Sequence, residues 1–155
     1  MFDVKKILCP VDFSDAVKAV AECARKMALQ FDAEVLLLYV SPRMNRYAEL
    51  YVPNTDLQRV VRQIADGARK NMDACLKEHF QGIKVTSMVK IGYAPEAICD
   101  VALEEHADLI VMGTHGRRGI DRVIFGSVAE KVVKSGTTPV LLVRPFGPQP
   151  RHDAS

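Results

Sequence analysis

The sequence predicts a parallel α/β sheet of five strands with helices on both faces. Three observations carry this. Short, near-continuously apolar runs alternate with longer segments whose apolar residues recur at helical spacing, as in repeated strand–helix units. Several of the runs end in proline, aspartate or glycine, residues that stop a strand and turn the chain. The length, 155 residues, suits one domain with one core. Connections in such a sheet are right-handed crossovers. The expected strand order is 3-2-1-4-5, with the last strand at an edge.

The elements follow in order. KKILCPV (residues 5–11) is a buried strand ending near a proline. DFSD follows, with Ser14 or Asp15 placed to cap a helix. In that helix Val17, Val20, Ala24, Met27, Ala28 and Phe31 share a face. AEVLLLYV (33–40) is a second strand, apolar throughout as a strand covered on both faces must be. Residues 41–55, SPRMNRYAELYVPNT, show no period, and a connection of this length in a compact domain is often functional. Its YAELYV stretch reads equally as a short packed helix, a lid or part of a partner surface. From Asp56 to Phe80 a helical face carries Leu57, Val60, Val61, Ile64, Ala68, Met72, Cys75 and Leu76, and Gly82 ends it. IKVTSMVKIG (83–92) alternates as a strand. Pro95 suits the first turn of a helix running to about Glu105, with Ile98, Val101 and Ala102 inward. ADLIVMG (107–113) is the fourth strand, Ser127 to Ser135 the last helix, and TPVLLVR (138–144) the last strand. The remainder, PFGPQPRHDAS (145–155), is proline-rich and without apolar period, and reads as a disordered tail to a domain spanning 1–144.

Bulk properties narrow the function. At 48% hydrophobic and 26% charged the chain can bury a full core. A net charge of +2, with pI near 8.4, is too mild to mark a nucleic-acid or membrane surface. There is no apolar run long enough to span a bilayer, and MFDVKKILCP lacks the apolar stretch of a signal peptide, so a soluble cytoplasmic protein is expected. Cys9, Cys23, Cys75 and Cys99 form no C-x-x-C pair and no metal-spaced set with histidine. Each lies in an apolar pattern and reads as a reduced core thiol.

Ligands of such sheets sit beyond the carboxyl ends of the strands, at the point where strand order reverses. That rule selects Pro10, Val11 and Asp12, the Tyr39–Ser41 turn, and Met112, Gly113 and Thr114. The last of these opens GTHGRRGIDRVIFGSVAEKV (113–132), which is glycine-rich and basic before it becomes a helix. Glycines let backbone amides approach a ligand, and a helix start favours negative charge, so the segment suits an anion such as phosphate. SVAE (127–130) is also a capping box, with Ser127 as cap and Glu130 reaching back. Cap and anion site coexist at helix starts. Neither G-x-G-x-x-G after the first strand nor G-x-x-x-x-G-K-[ST] is present. The spacing is instead G-x-x-G, nine residues, then G-S: Gly113, Gly116, Gly126, Ser127.

That element, between DLIVMGTHG and SVAEKVV, resembles the ATP-binding branch of the universal stress protein family. KKILCPVDFSDA at one end and TPVLLVR at the other resemble it too, so the likeness runs from about Val4 to Arg144. It implies a Rossmann-like fold of the adenine nucleotide alpha hydrolase kind. It implies that Asp12 contacts the adenosine, with Pro10 and Val11 shaping the same wall, and that the Val40 backbone recognises adenine. Met112, Gly113 and Thr114 would lead into a phosphate loop holding His115, Gly116, Arg117, Arg118 and Gly119. Gly126, Ser127 and Val128 would make a second phosphate contact. ATP is the implied ligand, with Mg²⁺ held by the phosphates and Ser127 the one protein group considered for it. Arg117, Arg118 and Arg122 make the loop more basic than those contacts require. The expected role is a nucleotide-dependent regulatory or stress-response module. The alternative is a slow ATPase or phosphotransferase, which the lack of an evident base carboxylate disfavours. The resemblance also implies a homodimer, and an apolar edge strand at Val140 to Val143 gives a physical reason for one.

Overall fold

A computed structural model describes residues 2–43, 54–114 and 126–144. Chain order is β1 (Lys6–Val11), α1 (Val17–Phe31), β2 (Glu34–Ser41), α2 (Asn54–His79), β3 (Val85–Ile91), α3 (Ala94–Glu104), β4 (Leu109–Gly113), α4 (Ser127–Ser135) and β5 (Val140–Val143). The strands form one parallel sheet in the order β3-β2-β1-β4-β5.

Strand side chains alternate between faces, and this divides the core in two. Ile7, Cys9, Val35, Leu37, Leu109 and Val111 pack against α1 and α2, through Val20, Ala21, Ala24, Ala28, Met72 and Cys75. Leu8, Leu36, Leu38, Ile110 and Met112 face the other way, onto Ile98, Val101 and Ala102 of α3 and Ala129 and Val132 of α4. The central strands are buried on both faces, hence their unbroken apolar runs. β3, an edge strand, is half-buried to exposed along its length, and its burial does not follow the strict alternation expected from sequence: Thr86 and Ser87 are both exposed, Met88 and Val89 both half-buried. β5 forms the other edge, and all four of its residues are partly exposed.

Three expectations are corrected. The apolar face of α2 is inward only from Ala68 on. Val60, Val61 and Ile64 are 38%, 38% and 45% exposed. A 26-residue helix is about 39 Å long, whereas seven-residue β3 spans about 23 Å, so the first turns of α2 outrun the sheet. Neither Ser14 nor Asp15 caps α1: the N-cap is Ala16, without a side-chain cap bond. Ser14 Oγ instead accepts the Ala16 N–H at 3.3 Å, and its carbonyl accepts the Val17 N–H at 3.0 Å. Finally, the cysteines are all free but not all in the core: Cys9 and Cys75 are buried, Cys23 and Cys99 partly exposed.

The opposite end of the sheet is tied by charge. Asp108 Oδ2 accepts the backbone N–H groups of Lys5 and Lys6 at 2.8 and 2.9 Å. Lys6 reaches Glu105 at 3.0 Å, and Lys84 reaches Glu34 at 2.8 Å. Among the described residues no helix is long and apolar enough to cross a membrane. The YAELYV stretch and the tail from Pro145 lie outside the described residues.

Candidate functional site

The helix carrying the chain from β1 to β2 lies on one face of the sheet. The helix returning it from β3 to β4 lies on the other. Between β1 and β4 the connections therefore part, and a cleft opens above the strand ends, as the geometry of such sheets requires. Its volume is about 380 Å³, in the range of small-molecule sites. Its walls bring together Pro10, Val11 and Asp12 from β1, Val40 from β2, Met112, Gly113 and Thr114 from β4, and Gly126, Ser127 and Val128 at the start of α4. Those residues are up to 118 positions apart in sequence, and the strand order makes them neighbours. His115, Gly116, Arg117, Arg118, Gly119 and Arg122 lie outside the described residues.

Local bonding shapes each wall. Asp12 Oδ1 accepts the Ser14 N–H at 3.0 Å, so the turn after β1 folds back over its own aspartate. Thr114 is buried, and its N–H donates to the Val143 carbonyl at 3.0 Å, extending the β4–β5 pairing past Gly113. The Thr114 carbonyl accepts the Gly126 N–H. The end of β4 is thus clamped to the beginning of α4, although eleven residues separate Thr114 from Gly126.

The start of α4 corrects the capping-box reading. Gly126, not Ser127, is the N-cap, with φ −67° and ψ 158° and no side-chain cap bond. Ser127 is the first helical residue. Glu130 does not reach back; its Oε1 accepts from Lys134 Nζ at 2.7 Å, one turn onward, and this contact holds its carboxyl below the usual range. An amide at the cap itself is committed to Thr114. The first N–H groups inside the helix have no intrahelical acceptor, and at this end of α4 they belong to Ser127 and Val128, both of which line the cleft. α3 starts at the same cleft with Ala94, and its N-cap, Tyr93, also makes no side-chain cap bond. Two helix starts therefore direct partial positive charge at one space.

Sequence reasoning missed a second set of wall residues: Ala16, Val17 and Val20 of α1, Leu38, Ala94 and Ile98, and Ala129. A signal existed for most of them. In a parallel sheet every helix begins above the carboxyl ends of the strands, so the first apolar turns of α1 and α3 had to arrive here. Leu38 shares a face with Val40 two residues on. These additions make the floor and one side apolar. The one charged side chain lining the cleft, among the described residues, is Asp12. No cluster of three or more histidine, cysteine, aspartate or glutamate side chains that could hold a metal occurs among the described residues.

The thiols stand apart from this chemistry. Burial pushes Cys9 far above the ordinary thiol range, and the neighbouring Cys75 and Cys23 add to the shift. Burial pushes Cys75 up to about 11, with Glu78 adding. Such thiols are poor nucleophiles.

The model of the universal stress protein family matches residues 3–144. A universal stress protein of Methanocaldococcus jannaschii is 34% identical over 153 residues, covering 90% of this chain and 82% of its own. A solved structure of a second universal stress protein from that archaeon superposes with a TM-score of 0.79 at 30% identity, covering 91% of this chain and 96% of that one. A universal stress protein of Archaeoglobus fulgidus, solved in complex with dAMP, shares the fold at 19% identity and a TM-score of 0.58, covering 93% and 100%.

Proposed function

This chain belongs to the universal stress protein family, and from that premise we propose that it binds ATP with Mg²⁺ in the cleft between β1 and β4 and acts as a nucleotide-dependent regulatory module. One observation carries the reading. Of the residues that strand-end topology, glycine spacing and the family resemblance single out in sequence, 10–12, 40, 112–114 and 126–128 line a single cleft of about 380 Å³, while Tyr39 and Ser41 do not.

The cleft's two sides suit the two ends of an adenine nucleotide. Leu38, Val40, Ala94 and Ile98 offer an apolar surface for a base. Beside Gly113 and Gly126, the first-turn amides of Ser127 and Val128 and the Ser127 hydroxyl stand at a helix start, where phosphate is favoured. Asp12 suits the hydroxyls of the sugar between them. Bound dAMP in the A. fulgidus protein supports an adenine nucleotide as the ligand class. The divalent ion would ride on the phosphates, with the Ser127 hydroxyl at the start of α4 as the protein group that would serve it. The reading is binding rather than turnover: Asp12, the one carboxylate lining the cleft among the described residues, already accepts the Ser14 N–H and suits the sugar side.

The proposal extends to assembly. β5 is an edge strand of apolar residues, all partly exposed. Two copies pairing Val140 to Val143 antiparallel about a two-fold axis would satisfy both edges.

The direct test is to denature the purified protein and identify any released nucleotide by chromatography and mass spectrometry, with calorimetric titration of the stripped protein by MgATP. Adenine nucleotide in the supernatant and micromolar binding are expected. No released nucleotide together with no heat of binding overturns the reading.

A further inference from the structure

Three non-glycine residues have a left-handed backbone: Phe13 at φ 58°, Asp32 at 52° and His106 at 55°. Two are ordinary. Asp32 caps the C-terminus of α1, and His106 follows α3, places where the left-handed conformation is the usual way to end a helix. Phe13 ends nothing. It stands between β1 and α1, and for a bulky side chain that conformation is a true outlier. Such outliers persist where surrounding contacts impose them, and they gather at ligand sites.

The imposing contact is visible. The Phe13 ring packs on the Tyr39 ring, with centroids 4.8 Å apart and planes at 43°. Tyr39 is itself fixed inside the sheet, in register between Val11 of β1 and Val89 of β3. Both rings join the core under α1 and α2, and neither lines the cleft. What the left-handed turn accomplishes lies one residue away. It brings the Ser14 N–H onto Asp12 Oδ1 at 3.0 Å, fixing one oxygen of a carboxylate that does line the cleft.

We infer that Phe13 and Tyr39 are positioning residues for the cleft: their ring contact holds the turn that orients Asp12 toward the nucleotide sugar. The inference rests on the reading of the cleft as an adenine-nucleotide site. Phe13 acts through Asp12, so its effect must vanish when Asp12 cannot act. This distinguishes it from a residue that only supports the fold.

The experiment is a double-mutant cycle read by calorimetry with MgATP: wild type, Phe13→Ala, Asp12→Ala, which removes the carboxylate, and the double variant, with melting temperatures recorded alongside. Coupled neighbours in such cycles differ from additivity by amounts that correspond to roughly tenfold in affinity. Phe13→Ala is expected to weaken MgATP about tenfold in the wild-type background and less than about twofold beside Asp12→Ala. Phe13→Tyr, which keeps the ring, is expected to bind like wild type. Tyr39→Leu gives a second route should Phe13→Ala fail to fold, and the same coupling is expected of it. Equal losses in both backgrounds, or no loss from either ring variant, overturn the positioning role while leaving the nucleotide site standing. A wild type that binds no adenine nucleotide overturns both.

Discussion

Gly126→Val separates the role of the α4 start in binding from its role in folding. Gly126 is the N-cap of α4, at φ −67° and ψ 158°. That is ordinary extended backbone, open to any residue, so conformational freedom is not why glycine stands there. What valine changes is space: a branched side chain would stand beside the Ser127 and Val128 amides on the cleft wall. The folding cost is that of a poor cap in place of a tolerable one, about 1 kcal/mol. In a domain of this size that lowers Tm by roughly 2–4 °C. The binding cost is larger. MgATP at about 100 times the wild-type Kd adds roughly 2.7 kcal/mol, a rise of about 5–11 °C. A variant whose Kd is a hundredfold higher gains only about 0.4 kcal/mol at the same concentration, a rise of about 1–2 °C. Melting scans with and without MgATP read both quantities from one sample. Gly136→Ala, at the far end of the same helix, is the control. A Cβ there would meet the Val132 carbonyl oxygen at 2.9 Å and Cys99 Sγ at 3.3 Å, so the protein is destabilised by about 1–3 kcal/mol with the ligand-induced rise unchanged. A full ligand-induced rise in Gly126→Val would show that phosphate does not lie against α4.

Leu142→Pro removes a backbone N–H from the β5 edge; light scattering should report about twice the 17.2 kDa chain mass for wild type and a shift toward monomer for the variant, and a wild-type monomer at tens of micromolar refutes the edge dimer. Chelating the divalent ion should weaken ATP more than AMP, because the ion serves the phosphates; equal affinities with and without chelator would count against a role for it. The contact with Lys84 holds Glu34 below its ordinary 4.5 and Lys84 above its ordinary 10.5. Wild type should therefore outlast Glu34→Gln in melting scans between those values, with the margin shrinking as pH falls below 4.5 or rises above 10.5; a margin unchanged down to about pH 3 would show that the pair does not act as a charge pair. In native protein at pH 8, iodoacetamide should label Cys23 and Cys99 well before Cys9 and Cys75, as peptide mass mapping can follow; early labelling of Cys9 would contradict its burial.

Most of the fold was legible because the central strands are covered on both faces. LCPV and EVLLLYV read as buried strands from composition alone, and alternation with helices then determined a parallel sheet. The helix starts were legible in kind and wrong in detail. Ser14 and Ser127 both sit where a capping residue belongs, yet each yields the cap to a neighbour. At Ser14 the hydroxyl is taken by the Ala16 N–H in the turn that precedes the helix; at Ser127 the Gly126 N–H is drawn to the Thr114 carbonyl, a partner set by the β4–β5 pairing and invisible to local pattern. Helical periodicity likewise showed which face of α2 is apolar but not how far the sheet extends beneath it, so nothing in the sequence tells that Val60, Val61 and Ile64 are left exposed.

The candidate site divides along the same line. Its strand-end and glycine positions were legible because topology and backbone chemistry leave marks in sequence. Its apolar wall was not, because Val17, Val20 and Ile98 carry the same signal as any core residue on a helix. Charge supplies the remaining constraint. A helix start contributes about half a positive charge, and α3 and α4 both begin at the cleft, so together they do little more than offset the carboxylate of Asp12. A triphosphate brings several negative charges more. On the proposed reading a divalent ion would remove two of them, and substitution of Arg117, Arg118 and Arg122, which lie outside the described residues, tests whether these basic residues meet the rest. On the proposed reading, affinity for ATP over AMP should be governed by the ion and the groups that face the phosphates, and selection of adenine by Val40, Ala94 and Ile98. Recognition of the base and tolerance of phosphate number would then be separable properties of this cleft.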